Sequence, residues 1–425
     1  MTAEEGGAGS PSPPTLPMAQ KLKLPLVLPP PAGGRVDVLI VAGEHSGDEH
    51  AARMVRGLRA RRPELAVCAL GGPALAGAGA QLLHDLTASS VVGLVEVLKH
   101  YPFFRALFGA TVEWIELYRP RAVCLVDYPG FNLRLARVLH ARGLTTKGGG
   151  RMRALYYISP QIWAWKAGRR FEMARHLDAM AVIFPFELHS YADTVLPVEF
   201  VGHPFVAEDY KPPVRHDPEG PVLLLPGSRR QAVARIFPVL LAAYREFATR
   251  QPDRAAVVLH PSSEIQQVLE KVLREAGNAP AGRVDLARTG HPVAASVVLT
   301  SSGTMSMHCA LAGIPGAIAY RTNLLTYLLG RWMVRVPYIG IANLLLGEPM
   351  YPEFIQGAAT AGRLARELAA CFEDPARRAR CAGQAERLHT ILRQPVSGTA
   401  ADWLERRLMA DWVQESSAGS DVSVS

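Results

Sequence analysis

Val222-Leu223-Leu224-Leu225 runs directly into Pro226-Gly227-Ser228-Arg229. An unbroken apolar run of this length reads as a strand buried on both faces. A Gly-Ser-Arg turn leaving such a strand is suited to an anion. Glycine lets the backbone approach, Ser228 and the free amides donate hydrogen bonds, and Arg229 offers a planar fork for two oxygens. A second small-residue turn, Thr300-Ser301-Ser302-Gly303-Thr304, follows Ser296-Val297-Val298-Leu299 and opens a helix. Either turn alone is more often an ordinary tight turn. Converging, the two would hold a diphosphate.

Outward from these turns, strand and helix alternate. Strands at residues 222–225, 255–259, 297–300 and 316–319 are separated by helices near 231–250, 264–276 and 305–312, and mostly helical sequence follows from 361 to 411. The first half has the same rhythm. It begins at Val36-Asp37-Val38-Leu39-Ile40-Val41 and repeats in strands at 66–70, 122–126, 154–158 and 179–183, with helices at 49–61, about 95–118, 133–142 and 169–177. The pattern predicts an α/β fold of two doubly wound, Rossmann-like domains facing a cleft, with ligand at the carboxyl ends of the strands. The expected division is a disordered leader over 1–34, a first domain over 35–210 and a linker over 211–220. A second domain with C-terminal helices spans 221–413, and a disordered tail 414–425. The glycines within 145–151 read as a flexible surface loop.

With 425 residues, 49% hydrophobic and 20% charged, the chain can bury two substantial cores. Its net charge of +8 comes without a long Lys/Arg run, which favours acidic small molecules or lipid head groups over duplex DNA. From Leu286 to Gly347 there is no Asp or Glu, while Arg288, Arg321, Arg331 and Arg335 are present. The five cysteines form no C-x-x-C pair, which points away from a disulfide framework or zinc site and toward a reducing cytoplasm. The eight prolines of residues 1–34 interrupt any signal-peptide core. No apolar run elsewhere reaches the ~18 residues of a spanning helix, so membrane contact is expected to be peripheral.

Three first-half signatures resemble the lipid-A-disaccharide synthase family: Val41-Ala42-Gly43-Glu44-His45-Ser46-Gly47-Asp48, Val92-Gly93-Leu94-Val95-Glu96-Val97-Leu98, and Ser159-Pro160-Gln161-Ile162-Trp163-Ala164-Trp165. The second half adds Leu225 to Arg229, Ser302-Gly303-Thr304, Asn343-Leu344-Leu345 and Pro352-Glu353-Phe354-Ile355-Gln356. The resemblance implies an inverting glycosyltransferase of the two-domain B fold. It would transfer 2,3-diacylglucosamine from UDP to the 6-hydroxyl of 2,3-diacylglucosamine 1-phosphate. It further implies no cofactor and no metal, a homodimer, and a cytoplasmic enzyme peripheral to the inner membrane.

Inverting transfer needs a base at the acceptor hydroxyl, and Asp127 sits just past a buried strand. Position alone leaves it equally a turn-stabilising aspartate; the resemblance favours catalysis. Asn132 either orients it or starts a helix. Glu44, Ser46 and Asp48 are assigned to the acceptor side, with Glu44 and Asp48 as alternative bases and helix capping as the competing role for Ser46 and Asp48. Ser228, Arg229, Ser302, Gly303, Thr304 and Asn343 are expected on the nucleotide, as is His308, where the family usually has a glutamate for the ribose. Imidazole accepts through one nitrogen only, so a bidentate ribose contact is lost. His203, Trp163 and Trp165 read as core residues, and 103–108 and 320–338 as candidate acyl or membrane contacts. Another UDP-sugar transferase, a UDP-N-acetylglucosamine 2-epimerase-like enzyme, and a silent nucleotide- or lipid-binding protein are the competing readings.

Overall fold

The computed structural model describes residues 26–87, 101–277, 282–323, 327 and 336–409. The first domain contains β1 (Val38–Ala42), α1 (His45–Arg61), β2 (Val67–Gly71), α2 (Pro73–Gly77), β3 (Gln81–Asp85), α3 (Tyr101–Tyr118), β4 (Ala122–Val126), α4 (Pro129–Ala141), β5 (Arg153–Tyr157), α5 (Arg169–His176), β6 (Ala179–Val182) and β7 (Val198–Phe200). The second contains β8 (Val214–His216), β9 (Val222–Leu225), α6 (Arg230–Ala248), β10 (Ala256–His260), α7 (Ser263–Glu275), β11 (Val284–Arg288), β12 (Val293–Ala295), β13 (Val297–Thr300), α8 (Thr304–Leu311), β14 (Gly316–Tyr320), α9 (Ile341–Leu346), β15 (Glu353–Ile355), α10 (Ala361–Glu373) and α11 (Pro375–Leu392). A last helix, α12 (Ala400–Met409), follows.

Both sheets are parallel, ordered β3-β2-β1-β4-β5-β6-β7 and β11-β10-β9-β13-β14-β15. Alternate residues of β1 feed opposite cores: Val38, Ile40 and Ala42 join one apolar cluster, Leu39 and Val41 the other. In β9, Val222 and Leu224 face one way while Leu223 and Leu225 join the cluster that also holds Val38 and Ile40, so a single core runs between the domains. Strand order reverses between β1 and β4 and between β9 and β13. Crevices at these switch points lie outside the strands' carboxyl ends, where such folds take ligands.

Several expected boundaries shift. The leader ends earlier than residue 34: Leu28 is buried, Trp114 Nε1 donates to Pro29 O (2.9 Å), and Gln81 Nε2 donates to Pro30 O (2.8 Å). Residues 1–25 and the tail lie outside the described residues, as do the 92–98 signature and most of 324–335. The linker is not structureless, since β8 pairs with β12 in a small separate sheet. The expected flexible loop at 145–151 is a packed turn. A Cβ on Gly148 would lie 2.4 Å from His140 O, and Lys147 Nζ donates to Ala174 O (2.6 Å).

The C-terminal helices were expected on the second domain, but α12 crosses back to the first. Its buried Ala401, Trp403, Leu404 and Leu408 form a helical stripe, and a Cβ on Gly57 of α1 would lie only 2.8 Å from that of Ala401. Ion pairs fasten the rim: Arg61 with Asp402 and Glu405, Arg62 with Glu405, and Glu199 with Arg406 and Arg407. Arg121 Nη2 donates to Leu408 O (2.6 Å).

Candidate active site

The carboxyl end of β4 carries a strained pair. Asp127 and Tyr128 both adopt left-handed backbone, with φ of 46° and 49°, which non-glycine residues hold only when their surroundings impose it. Here the surroundings do. Asp127 N donates to Tyr157 O (3.0 Å), and the Asp127 carbonyl accepts from Tyr156 Oη (2.7 Å) and Asn132 Nδ2 (2.8 Å). The same Asn132 amide, fully buried, reaches Val126 O and Val41 O (3.2 Å each), tying β1 to β4 at the switch point. Across this gap the Tyr128 ring lies on Gly43, where a Cβ would sit 2.1 Å from the ring, so glycine is required.

This frame sets the chemistry of the Asp127 side chain. Burial, reinforced by the nearby Glu44 carboxylate, raises its carboxyl from the ordinary 3.8 to about 6. A carboxylate with that affinity for protons is ionised at neutral pH and still basic enough to take one from a hydroxyl in a transition state. Glu187, at the carboxyl end of β6, is buried further and accepts from Phe184 N (3.1 Å); burial pushes its carboxyl to about 8. It is therefore held neutral behind the site, a role the sequence reading missed.

The three acceptor-side candidates separate. Glu44 and Ser46 are half-buried at the start of α1. Asp48 is fully buried and points away. Its carboxylate accepts from the amides of Gly72 (2.8 Å), Ala74 (2.9 Å) and Leu75 (3.2 Å), anchoring the start of α2. Asp48 is thus corrected from an acceptor-side residue and alternative base to a structural anchor. The capping role weighed for it on α1 also gives way, because that helix already begins at His45.

In the second domain the two turns that opened the sequence reading abut. Gly227 takes φ +112°, Ser301 N donates to Leu225 O (2.8 Å), and a Cβ on Gly227 would lie 3.3 Å from Ser301 Oγ. Helices α6 and α8 start immediately after, neither with a side-chain cap, so their leading amides remain available to an anion. Ser228, Arg229, Gly303 and Thr304 are exposed or half-buried here, as is Ser302. Arg229 Nη2 stands 3.8 Å from Glu44 Oε1, so the guanidinium and the first domain's carboxylate meet across the cleft. Farther along the same edge, Arg235, Arg321, Thr322, Gln356 and Gly357 line an open cavity of about 500 Å³. Gln356 shapes it by pairing its amide with both backbone groups of Thr322 (2.9 and 3.0 Å).

Two expected nucleotide residues are placed elsewhere. Asn343 is fully buried, donating to Tyr351 O (2.7 Å) and Glu353 Oε1 (2.9 Å) and accepting from Tyr351 N (2.9 Å). Glu353 in turn accepts from the Ile339 and Gly340 amides, so the pair builds the turn into α9. His308 is buried in a junction between domains. Its ring lies 3.9 Å from that of Phe205, and Tyr210 Oη is 3.0 Å from Nδ1. Burial, with His50 nearby, lowers its imidazole to about 4; burial likewise lowers His50, beside Arg53, to about 4 and His203, beside His50 and His308, to about 3. His308, expected on the ribose, is therefore a neutral packing residue in this fold. Among the described residues no group of three or more His, Cys, Asp or Glu is placed to hold a metal ion.

Residues 38–402 match the profile of the lipid-A-disaccharide synthetase family. The chain belongs to that family. A lipid-A-disaccharide synthase of Geobacter sulfurreducens is 37% identical over 354 residues, covering 80% of this chain and 88% of its own. That of Trichlorobacter lovleyi is 36% identical over 394 residues, covering 89% and 98%. Family membership makes the protein a hexosyltransferase. Among solved structures, a UDP-GlcNAc 2-epimerase from Neisseria meningitidis bound to UDP-GlcNAc superposes with a TM-score of 0.53 at 11% identity, covering 84% of this chain and all of that one (100%). The glycotransferase of kitacinnamycin gives 0.53 at 16% identity, covering 88% and 99%. At such identities the likeness is one of fold, the two-domain B type of this family.

Proposed function

We propose that the protein transfers 2,3-diacylglucosamine from UDP to the 6-hydroxyl of 2,3-diacylglucosamine 1-phosphate, with inversion at the donor sugar. The observation that carries this is the rigidly framed Asp127 with its raised carboxyl beside Glu44, which itself meets Arg229 of the diphosphate-suited turns across the cleft. In the proposed step Asp127 accepts the proton of the acceptor hydroxyl as that oxygen attacks the anomeric carbon. The bond from that carbon to the diphosphate breaks, and its electron pair leaves with UDP.

The leaving diphosphate gains charge where Arg229 and the amides opening α6 and α8 stand, so these groups bind the transition state more tightly than the ground state. Ser228, Ser302, Gly303 and Thr304 complete that cradle. Glu44 holds Arg229 toward the cleft and keeps the Asp127 carboxyl basic, and Ser46 lies on the acceptor side. UDP-sugar acts as substrate, no cofactor is required, and the enzyme works at the cytoplasmic face of the inner membrane. No described helix is long and apolar enough to cross a membrane. The test is direct: incubate purified protein with both diacylated substrates and follow the lipids by mass spectrometry. A tetraacyl disaccharide 1-phosphate and UDP are expected in equal amounts; hydrolysis or epimerisation of the donor instead would overturn the assignment.

A further inference from the structure

The segment leaving β5 presents aromatic side chains to solvent under cations. Trp165, read from the sequence as a core residue, is instead 36% exposed, and Phe171 is 50% exposed, unusual for large rings. Lys166 Nζ lies 4.7 Å from the Trp165 ring centre and the Arg169 guanidinium 5.0 Å, while Arg170 lies 4.2 Å over Phe171. These contacts hold the rings at the surface instead of folding them into the core. Leu188 and Val195, 37% and 87% exposed, belong to the neighbouring segment. Arg170 fastens that segment to the first by a two-pronged pair with Asp193 (2.7 and 2.6 Å).

The charge around these groups is one-sided. Residues 161–176 carry Lys166, Arg169, Arg170 and Arg175 against a single acid, Glu172, which pairs with Arg137. With Arg170 bound to Asp193, the cations Lys166, Arg169 and Arg175 have no carboxylate partner among the described residues. Exposed indole and phenyl rings interleaved with free Lys and Arg are the composition of an interfacial anchor, the rings entering the head-group boundary and the cations meeting anionic lipid. β5 lies beside β4, and its Tyr156 hydroxyl holds the Asp127 carbonyl. The aromatic surface therefore flanks the same end of the sheet as the proposed base.

We propose that Trp165, Phe171, Leu188 and Val195, with Lys166, Arg169 and Arg175, form the surface that docks this enzyme on an anionic lipid bilayer. This deepens the glycosyltransfer reading by naming where a lipid substrate is approached. Flotation with phosphatidylcholine vesicles, with and without phosphatidylglycerol, tests it on the full chain. Wild type is expected to bind the anionic vesicles and only weakly the neutral ones. The Trp165→Ser/Phe171→Ser variant should lose at least about tenfold in vesicle affinity, and Lys166→Gln/Arg169→Gln roughly fivefold per cation removed. All should keep UDP affinity and the rate on detergent-dispersed substrates, which separates failure of this surface from failure of the transferase reading. Unchanged vesicle binding in both variants would overturn the proposal, as would equal binding of neutral and anionic vesicles or no binding by wild type. A shift in oligomeric state without loss of vesicle binding would assign the face to a protein contact instead.

Discussion

Replacing Asp127 by asparagine should slow the enzyme and stabilise it at once. The carboxyl is raised from 3.8 to about 6 because its charged form is held in a buried site beside Glu44. A shift of about two units corresponds to roughly 3 kcal/mol between the protonation states. The unfolded chain releases this proton near 3.8 and the folded chain only near 6, so stability falls as pH rises through that window. Above about 6 the full penalty is present. The substituted amide carries no charge, so the Asp127→Asn variant should exceed wild type by on the order of 1–3 kcal/mol at pH 7–8 and converge with it below pH 4. Comparing the two proteins at each pH cancels the titration of groups that do not interact with Asp127. The assay is denaturant unfolding of the full chain at several pH values, paired with turnover. Turnover should drop about 10²- to 10⁴-fold with UDP affinity unchanged, and the wild-type rate should climb with pH through about 6. A variant that is active within about tenfold, the margin left by that range, or that shows no pH-dependent stability difference, would refute the assignment and direct attention to Glu44.

Arg229→Ala should weaken UDP binding by roughly 10- to 100-fold in calorimetry, the span of a charge-assisted pair, with Arg229→Lys recovering only part because a point charge cannot replace the fork; unchanged affinity would remove Arg229 from the site. Asp48→Ala should cost about 2–4 kcal/mol in unfolding experiments, since it strands buried amides, while leaving UDP affinity intact. The junction imidazoles of His50, His203 and His308 are neutral in the fold down to about 4, 3 and 4. Stability contributed there is present above the ordinary value near 6.5 and is lost as pH falls toward 4. His308→Gln should flatten that acid limb in thermal melts, and UDP affinity should not follow an imidazole titration in wild type. An affinity that does so would return His308 to the nucleotide.

The two doubly wound sheets were legible because β1, β4, β9 and β13 are fully buried and therefore read as apolar runs. Edge strands were not. In β3 only Leu83 is buried and in β11 no residue is, so their sequences lack both signals. The helical run to residue 409 was visible, but the apolar stripe of α12 fits either domain in sequence and only packing chooses α1. At the site, Gly227, Arg229 and Asp127 follow strands directly; position marked them out, but it left Asp127 equally a turn residue, and the family resemblance favoured catalysis. Asp48 and Asn343 misled for one reason. A polar side chain in a turn looks the same whether it meets a ligand or, as here, satisfies buried backbone groups. Tyr156, which buttresses the Asp127 carbonyl, is 29 residues away and announces itself by nothing in the sequence.

Transfer by single displacement, with Asp127 as base, is tested most directly by the anomeric configuration of the product. Proton NMR of the disaccharide formed from α-linked UDP-2,3-diacylglucosamine should show a β-1,6 linkage, with the signal lost in Asp127→Asn. An α-linked disaccharide, or a β-linked one formed at an undiminished rate by the asparagine variant, would contradict the account.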